Sequence, residues 1–202
     1  YVCTRADERD RHTIYDLLPP PLKSLHHVGR LDLDSSGLIL LTNRGELSHK
    51  LTHPGHGVEK EYEVTLEEPF DDTKIARLVK GMMTPEGHAR AERAWVIGHY
   101  KIGMVLKQGL KRQIRHMLYQ IGHEVRRLER VRIGNILLKG LPEGAWRELD
   151  AREVERLTES AGRPGGTARP LPSKKSAGKR SNEVKAEAQP AVGRKAGGSD
   201  PR

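Results

Sequence analysis

Lys60–Glu67 reads KEYEVTLE. Tyr62, Val64 and Leu66 fall on one face, and Glu61, Glu63, Thr65 and Glu67 on the other. That period of two marks a half-buried strand. Strands of all-parallel sheets are buried on both faces and run solidly apolar, so the alternation points to antiparallel pairing. Val125–Leu138 alternates in the same way, with Val125, Leu128, Val131 and Ile133 in core positions. Ala89–Ile97 and Ile102–Lys107 read as two more strands, joined at Gly98–Lys101. Helical stretches interleave with these strands irregularly. The expected fold is α+β: an antiparallel-rich mixed sheet with flanking helices.

The helices follow from caps and spacing. Asp71-Asp72-Thr73 offers N-caps for a helix through Lys80, with Ile75, Leu78 and Val79 inward and Gly81 as the stop. Lys111–Ile121 carries the apolar stripe Ile114, Met117, Leu118 and Ile121, with Gly122 just past its end. Thr13–Leu18 is a short helix stopped by Pro19, Glu46–His53 is one or two turns ended by Pro54-Gly55, and Ala151–Thr158 is a final helix. Leu141–Leu149 reads as a turn and a short strand anchored by Trp146.

Between the lead-in and Lys60 lies His27–Gly45, HVGRLDLDSSGLILLTNRG. Its polar cluster runs into a strand at Gly37–Thr42. A polar loop rooted in a buried strand is how a fold holds reactive groups still.

The 202 residues are 35% apolar and 31% charged, a low apolar and a high charged share for a globular chain. From Gly162 onward Gly, Pro, Ala, Ser and Lys dominate without periodicity, too little apolar surface to offset chain entropy. The expected organisation is one domain over 1–160 and a disordered basic tail over 161–202. The tail holds ten Lys/Arg and three Asp/Glu, a net of +7 out of +9 for the chain. Within the body, Lys107–Arg132 holds eight basic and two acidic residues. Such a block reads either as a solvated basic face or as a polyanion-binding surface. A single cysteine, Cys3, excludes an intrachain disulfide and suits a reducing cytoplasm. No apolar run approaches the ~20 residues of a membrane span, so no membrane partner is expected. The first residue is Tyr1, and an N-terminal portion is expected to be missing.

His49, His53 and His56 are spaced by four and three, but no carboxylate or cysteine joins them in zinc-enzyme spacing, and surface or structural histidines are the better reading. Neither a phosphate-binding glycine loop nor a nucleophile elbow is present. The remaining chemistry lies with Asp32, two residues after Arg30: a carboxylate beside a guanidinium stays ionised, as a nucleophile or base must. The alternative is that Asp32 and Asp34 shape an Asx turn. Tyr62 is either a core tyrosine or a platform for a nucleobase. On the 111–121 helix, Arg112 and Arg115 are i,i+3 neighbours. Arg115 borders the apolar stripe, needs a carboxylate partner, and is expected to find Asp32.

Gly29-Arg30-Leu31-Asp32 followed by Ser35–Asn43 closely resembles the catalytic motif of the RsuA/RluB/RluE/RluF group of ribosomal RNA pseudouridine synthases. Lys60–Val64 resembles that group's K-x-Y-x-V motif, and Gln108–Met117 its third, helical motif. The three stand in the family's order, and the resemblance runs from Tyr1 to about Leu157. Glu59–Glu67 and Gln108–Arg132 look nearest to the RluF branch, which acts on 23S RNA. The resemblance implies the pseudouridine synthase catalytic fold and conversion of a 23S uridine by base flipping, without metal or cofactor. It implies that Asp32 is catalytic, that Arg30 fills the flipped base's place in the stack, and that Tyr62 stacks on the uracil. It further implies that Arg115 positions Asp32 and that Lys60 supports the site. Arg112 is placed with the substrate-binding set. A cytoplasmic monomer is expected. A 16S or transfer RNA target, or a non-catalytic RNA-binding or ribosome-assembly protein on the same fold, stays open. The S4-type domain that usually opens these proteins is absent from this sequence.

Overall fold

The computed structural model describes residues 1–53 and 57–162. The expected stop at Pro54-Gly55, His56 and the chain beyond Gly162 lie outside the described residues. The central strand is β4 (Lys60–Leu66). It pairs antiparallel with β8 (Lys101–Leu106) on one side and β9 (Val125–Ile133) on the other. The sheet continues to β7 (Arg93–Gly98) beyond β8 and to β10 (Ile136–Leu137) beyond β9. One short strand, β2 (Ser35–Gly37), joins β9 in parallel. The sheet is therefore antiparallel-rich and mixed, as the alternation at Lys60–Glu67 required.

One core lies against this sheet. Val64, Leu66, Ile102, Met104 and Leu128 meet Leu78 of α2 (Ile75–Lys80) and Ile114, Met117, Leu118 and Ile121 in and after α3 (Gln113–Tyr119). Every residue of the expected 111–121 stripe is buried here. Gly81 and Gly122 end the two helices at φ +91° and +79°, backbone that glycine adopts at no steric cost. A second core gathers α1 (Gly45–Thr52), the pair β1 (His26–Val28) and β3 (Leu40–Thr42), and α4 (Ala151–Gly162) around Ile133 and Ile136.

Four expectations need correction. The Gly37–Thr42 strand is two strands: β2 belongs to the main sheet and β3 pairs with β1, with Leu38 and Ile39 between them. The 141–149 stretch forms no strand and Trp146 is half exposed, because backbone turns from Leu138 to Leu141 and Pro142 to Ala145 use up its hydrogen bonds locally. Met82–Thr84 and Gly87–Ala89 form a hairpin, β5–β6, and the following strand starts at Arg93 rather than Ala89. Finally, α4 extends past Thr158 to Gly162, with Ala161 fully buried in the second core.

The β4–β9 pairing contains a bulge. Glu61 pairs with Arg132 but Tyr62 pairs with Arg130, leaving Val131 as the extra residue. Arg130 and Arg132, two apart, would otherwise share a face. The bulge sends Arg132 to the side of Glu59 and Glu61, and leaves Arg130 on the side of Tyr62. On the first side Arg132 Nε donates to Glu61 Oε2 at 2.8 Å, Nη2 to Glu59 Oε2 at 3.1 Å and Nη1 to the Gly134 carbonyl at 2.7 Å.

Gly37 holds the crossing of β2 over β9. Its φ is +104°, and a Cβ there would stand 2.4 Å from the Arg130 carbonyl oxygen and 2.6 Å from its nitrogen. Leu38 N donates to that same carbonyl at 2.8 Å, so neither chain can move away cheaply. Gly37→Ala should cost about 3 kcal/mol of stability, from strained backbone and a clash with main chain. A denaturant midpoint equal to wild type would contradict this packing.

Candidate active site

The polar loop between β1 and β2 reaches over the start of α3. A backbone turn, Ser35 N donating to the Asp32 carbonyl at 3.0 Å, shapes its tip. From the N-terminal segment, buried Cys3 accepts from Leu31 N at 3.4 Å. The tip is then tied to α3 through Asp34. Arg112 Nη1 and Nη2 donate to Asp34 Oδ1 and Oδ2 at 3.0 and 2.9 Å, a two-pronged pair. Arg115 Nη2 donates to the Asp34 carbonyl at 2.7 Å, and its Nε stands 3.1 Å from Oδ2. Arg115 Nη1 also donates to the Val125 carbonyl at 2.9 Å, at the start of β9. Arg112 opens α3 at φ +50°, a left-handed conformation uncommon for a residue with a side chain.

This corrects the expected partner of Arg115. The guanidinium meets Asp34, not Asp32, and Asp32 has no ion-pair partner among the described residues. The reason is geometric. Arg115 is nearly buried beneath the loop, where its two Nη atoms donate to the Asp34 and Val125 carbonyls and its Nε faces the Asp34 carboxylate, while Asp32 lines a cleft on the other side. Asp34 does shape the loop, as its structural reading held, but by a long-range clamp rather than an Asx turn. The Arg112 hydrogen bonds, with the charges of Arg115 and Arg112 behind them, hold the Asp34 carboxyl below the usual carboxylate range.

The cleft has a volume of about 510 Å³ and brings together Arg30, Asp32, Lys60, Tyr62, Arg112 and Arg130. Five of the six sequence-predicted site residues are among these; the other, Arg115, stands behind the loop. Arg30 is exposed at the rim. Lys60 and Tyr62 come from alternate positions of β4, on the face turned to α3, and Tyr62 packs against the main core. Lys60 Nζ donates to the Val58 carbonyl at 3.3 Å. Burial, with the charge of Arg130 second, pulls its amine down to about 8. Sequence reasoning missed Arg130, because one cation within a charged run looks like part of a solvated face.

That run is not one face. Arg130 and Arg132 are buried, Arg112 and Arg115 clamp the loop, and Arg127 donates to Glu129 at 3.0 Å. Of the eight basic residues, Lys111 and Arg126 remain exposed without an ion-pair partner among the described residues. The same residues contain no cluster of three or more His, Cys, Asp or Glu able to hold a metal. No described helix is long and apolar enough to cross a membrane.

The RNA pseudouridylate synthase family model matches residues 1–120, and the chain belongs to that family. It is 41% identical over 172 residues to the ribosomal large subunit pseudouridine synthase B of Haemophilus influenzae, covering 82% of this chain and 48% of that one. It is 36% identical over 209 residues to the protein of the same name from Escherichia coli strain K12, covering 98% and 72%. A crystal structure of a pseudouridylate synthase superposes with a TM-score of 0.72 at 35% identity, over 77% of this chain and 68% of that one. The chain spans about half the length of the first curated relatives it matches. The relatives named here carry the B name, not that of the RluF branch.

The clamp makes a pH-dependent prediction. A carboxyl held low in the folded state stabilises above its unfolded value, and that contribution disappears as pH falls through the folded one. Asp34→Ala should lower stability by about 1 kcal/mol at neutral pH, the upper end for an exposed ion pair. The gap from wild type should close below about pH 4. A gap in melting temperature that persists unchanged at low pH would show that the ion pair is not its source.

Proposed function

We propose that the chain is an RNA pseudouridine synthase that converts a uridine of 23S ribosomal RNA. The observation that carries the reading is that Asp32 and Tyr62 line one cleft, with Asp32 free of any ion-pair partner among the described residues. Family membership and relatives named for the large ribosomal subunit support the substrate class. A 16S or transfer RNA target is a weaker reading, since no relative reported above is named for either. The compartment we assign is the cytoplasm, and the working unit is a monomer.

The reaction breaks the N1–C1′ bond, turns the uracil and joins C5 to C1′; the proton lost from C5 is matched by one gained at N1. Flipping the nucleotide out of its stack costs a few kcal/mol. Arg30, exposed at the rim, fills the vacated place, and Tyr62 offers the base a face on which to stack. The carboxylate of Asp32, oriented by its loop, attacks C1′ or takes the C2′ proton. Arg112 and Arg115 are positioning residues: they act on Asp32 through Asp34, two residues along the loop. Lys60 adds positive charge beside Tyr62. Lys111 and Arg126 meet phosphates, and the basic segment 163–202 adds a second electrostatic contact.

Asp32→Asn tests the assignment. Pseudouridine formation, read by carbodiimide mapping of 23S transcripts, should fall at least about a hundredfold, the low end for a positioned proton-transfer group. RNA affinity and melting temperature should match wild type. Conversion at the wild-type rate would sink the role of Asp32; wild-type protein that binds RNA and converts nothing would indicate a binding module on this fold. Separately, removing residues 163–202 should weaken RNA binding and flatten its salt dependence while leaving the melting transition in place. Unchanged affinity would remove the segment from the interface.

A further inference from the structure

The two buried arginines of β9 are treated very differently. Arg132 is 6% exposed and faces two carboxylates, with its Nε and both Nη atoms bonded. Arg130 is 3% exposed and has no carboxylate partner among the described residues. Its Nε donates to the Leu38 carbonyl at 2.7 Å and its Nη1 to the Arg30 carbonyl at 3.4 Å, a long contact. Its Nη2 is buried with no hydrogen-bond partner among the described residues. Lys60 lines the same cleft and, among the described residues, bonds only the Val58 carbonyl. Two cations at one cleft wall, neither within ion-pair distance of an acid among the described residues, are costly to desolvate. The bulge at Val131 is what holds Arg130 on this side, away from the acids that neutralise Arg132. A charge kept in that state is set for an anion that arrives with the substrate.

We infer that Arg130 and Lys60 form an anion-stabilising pair for the uracil ring as it leaves C1′. This rests on the synthase reading above. When the N1–C1′ bond breaks heterolytically, its electron pair stays on N1 and spreads to O2 and O4. The carbon left behind is satisfied by a bond to an Asp32 oxygen, or by loss of the C2′ proton to that carboxylate. The ring therefore carries a full negative charge between cleavage and rejoining at C5, and no redox partner or co-reactant is needed. Tyr62 holds the ring's face. The cations of Arg130 and Lys60 take the charge on the carbonyl oxygens. Holding the anion also keeps the detached base from diffusing away before it turns. Arg130 lies beyond the residues that the family model matches, 1–120.

A better leaving group needs this help less. 5-Fluorouracil is more acidic than uracil, so its anion departs more readily. Arg130→Met and Lys60→Met should each slow single-turnover conversion of a uridine substrate about a hundredfold, as loss of one preorganised anion donor does. Consumption of 5-fluorouridine in the same RNA, followed in nuclease digests, should slow about tenfold or less. Arg130→Lys, which keeps the charge, should recover part of the rate. Equal losses on the two bases would make both residues structural and overturn the inference. Arg130 also ties β9 to Leu38, so if Arg130→Met melts early, Lys60→Met decides by the same comparison. A wild-type protein inactive on both bases would instead overturn the synthase reading.

Discussion

One carboxylate fixes the site. Asp34 is gripped by two guanidiniums from the start of α3, and the placement of the Asp32 loop over the cleft depends on that grip. The β1–β2 loop has little apolar anchorage near its tip: Leu33 is 67% exposed, and the Ser35 and Ser36 hydroxyls make no hydrogen bond among the described residues. Charge and hydrogen bonds must therefore do what packing does elsewhere. An exposed ion pair contributes only about 1 kcal/mol to stability. That is too little to hold a fold but enough to select one loop conformation among several, which is what an oriented carboxylate needs.

The clamp also separates two roles that a sequence motif merges. Asp32 and Asp34 are two residues apart and look interchangeable as partners for an arginine. Arg115 takes Asp34 and leaves Asp32 with its charge unpaired and turned to the cleft. Acting through its neighbour, the clamp holds in place the loop that carries Asp32. The β9 bulge performs a matching separation for arginines, sending one to the acids and the other to the cleft. Both devices place unneutralised charge, of opposite sign, in one cleft of about 510 Å³.

Much of this was legible in the sequence, for local reasons. The β4 strand declares itself by strict alternation, and α3 by a stripe of four apolar residues with Gly122 behind it. Asp32, Tyr62 and Lys60 were reached from motif and pattern, and the cleft holds all three. What stayed hidden was non-local. Asp34 and Arg115 are 81 residues apart, and no spacing rule says which of two aspartates an arginine meets. A bulge depends on the partner strand, so Val131 reads as one more core position. Arg130 was lost in a basic run, because burial of a cation leaves no local mark. The three-residue strands β5 and β6 are too short to show a period.

The central claim is that this cleft turns one base around while holding it. Site-resolved pseudouridine mapping of ribosomal RNA from cells that lack the protein, incubated with the purified wild-type chain, tests it most directly. The account predicts that a 23S uridine unmodified in those cells becomes pseudouridine without added metal or cofactor. Tight, salt-sensitive RNA binding with no new pseudouridine at any position would contradict it.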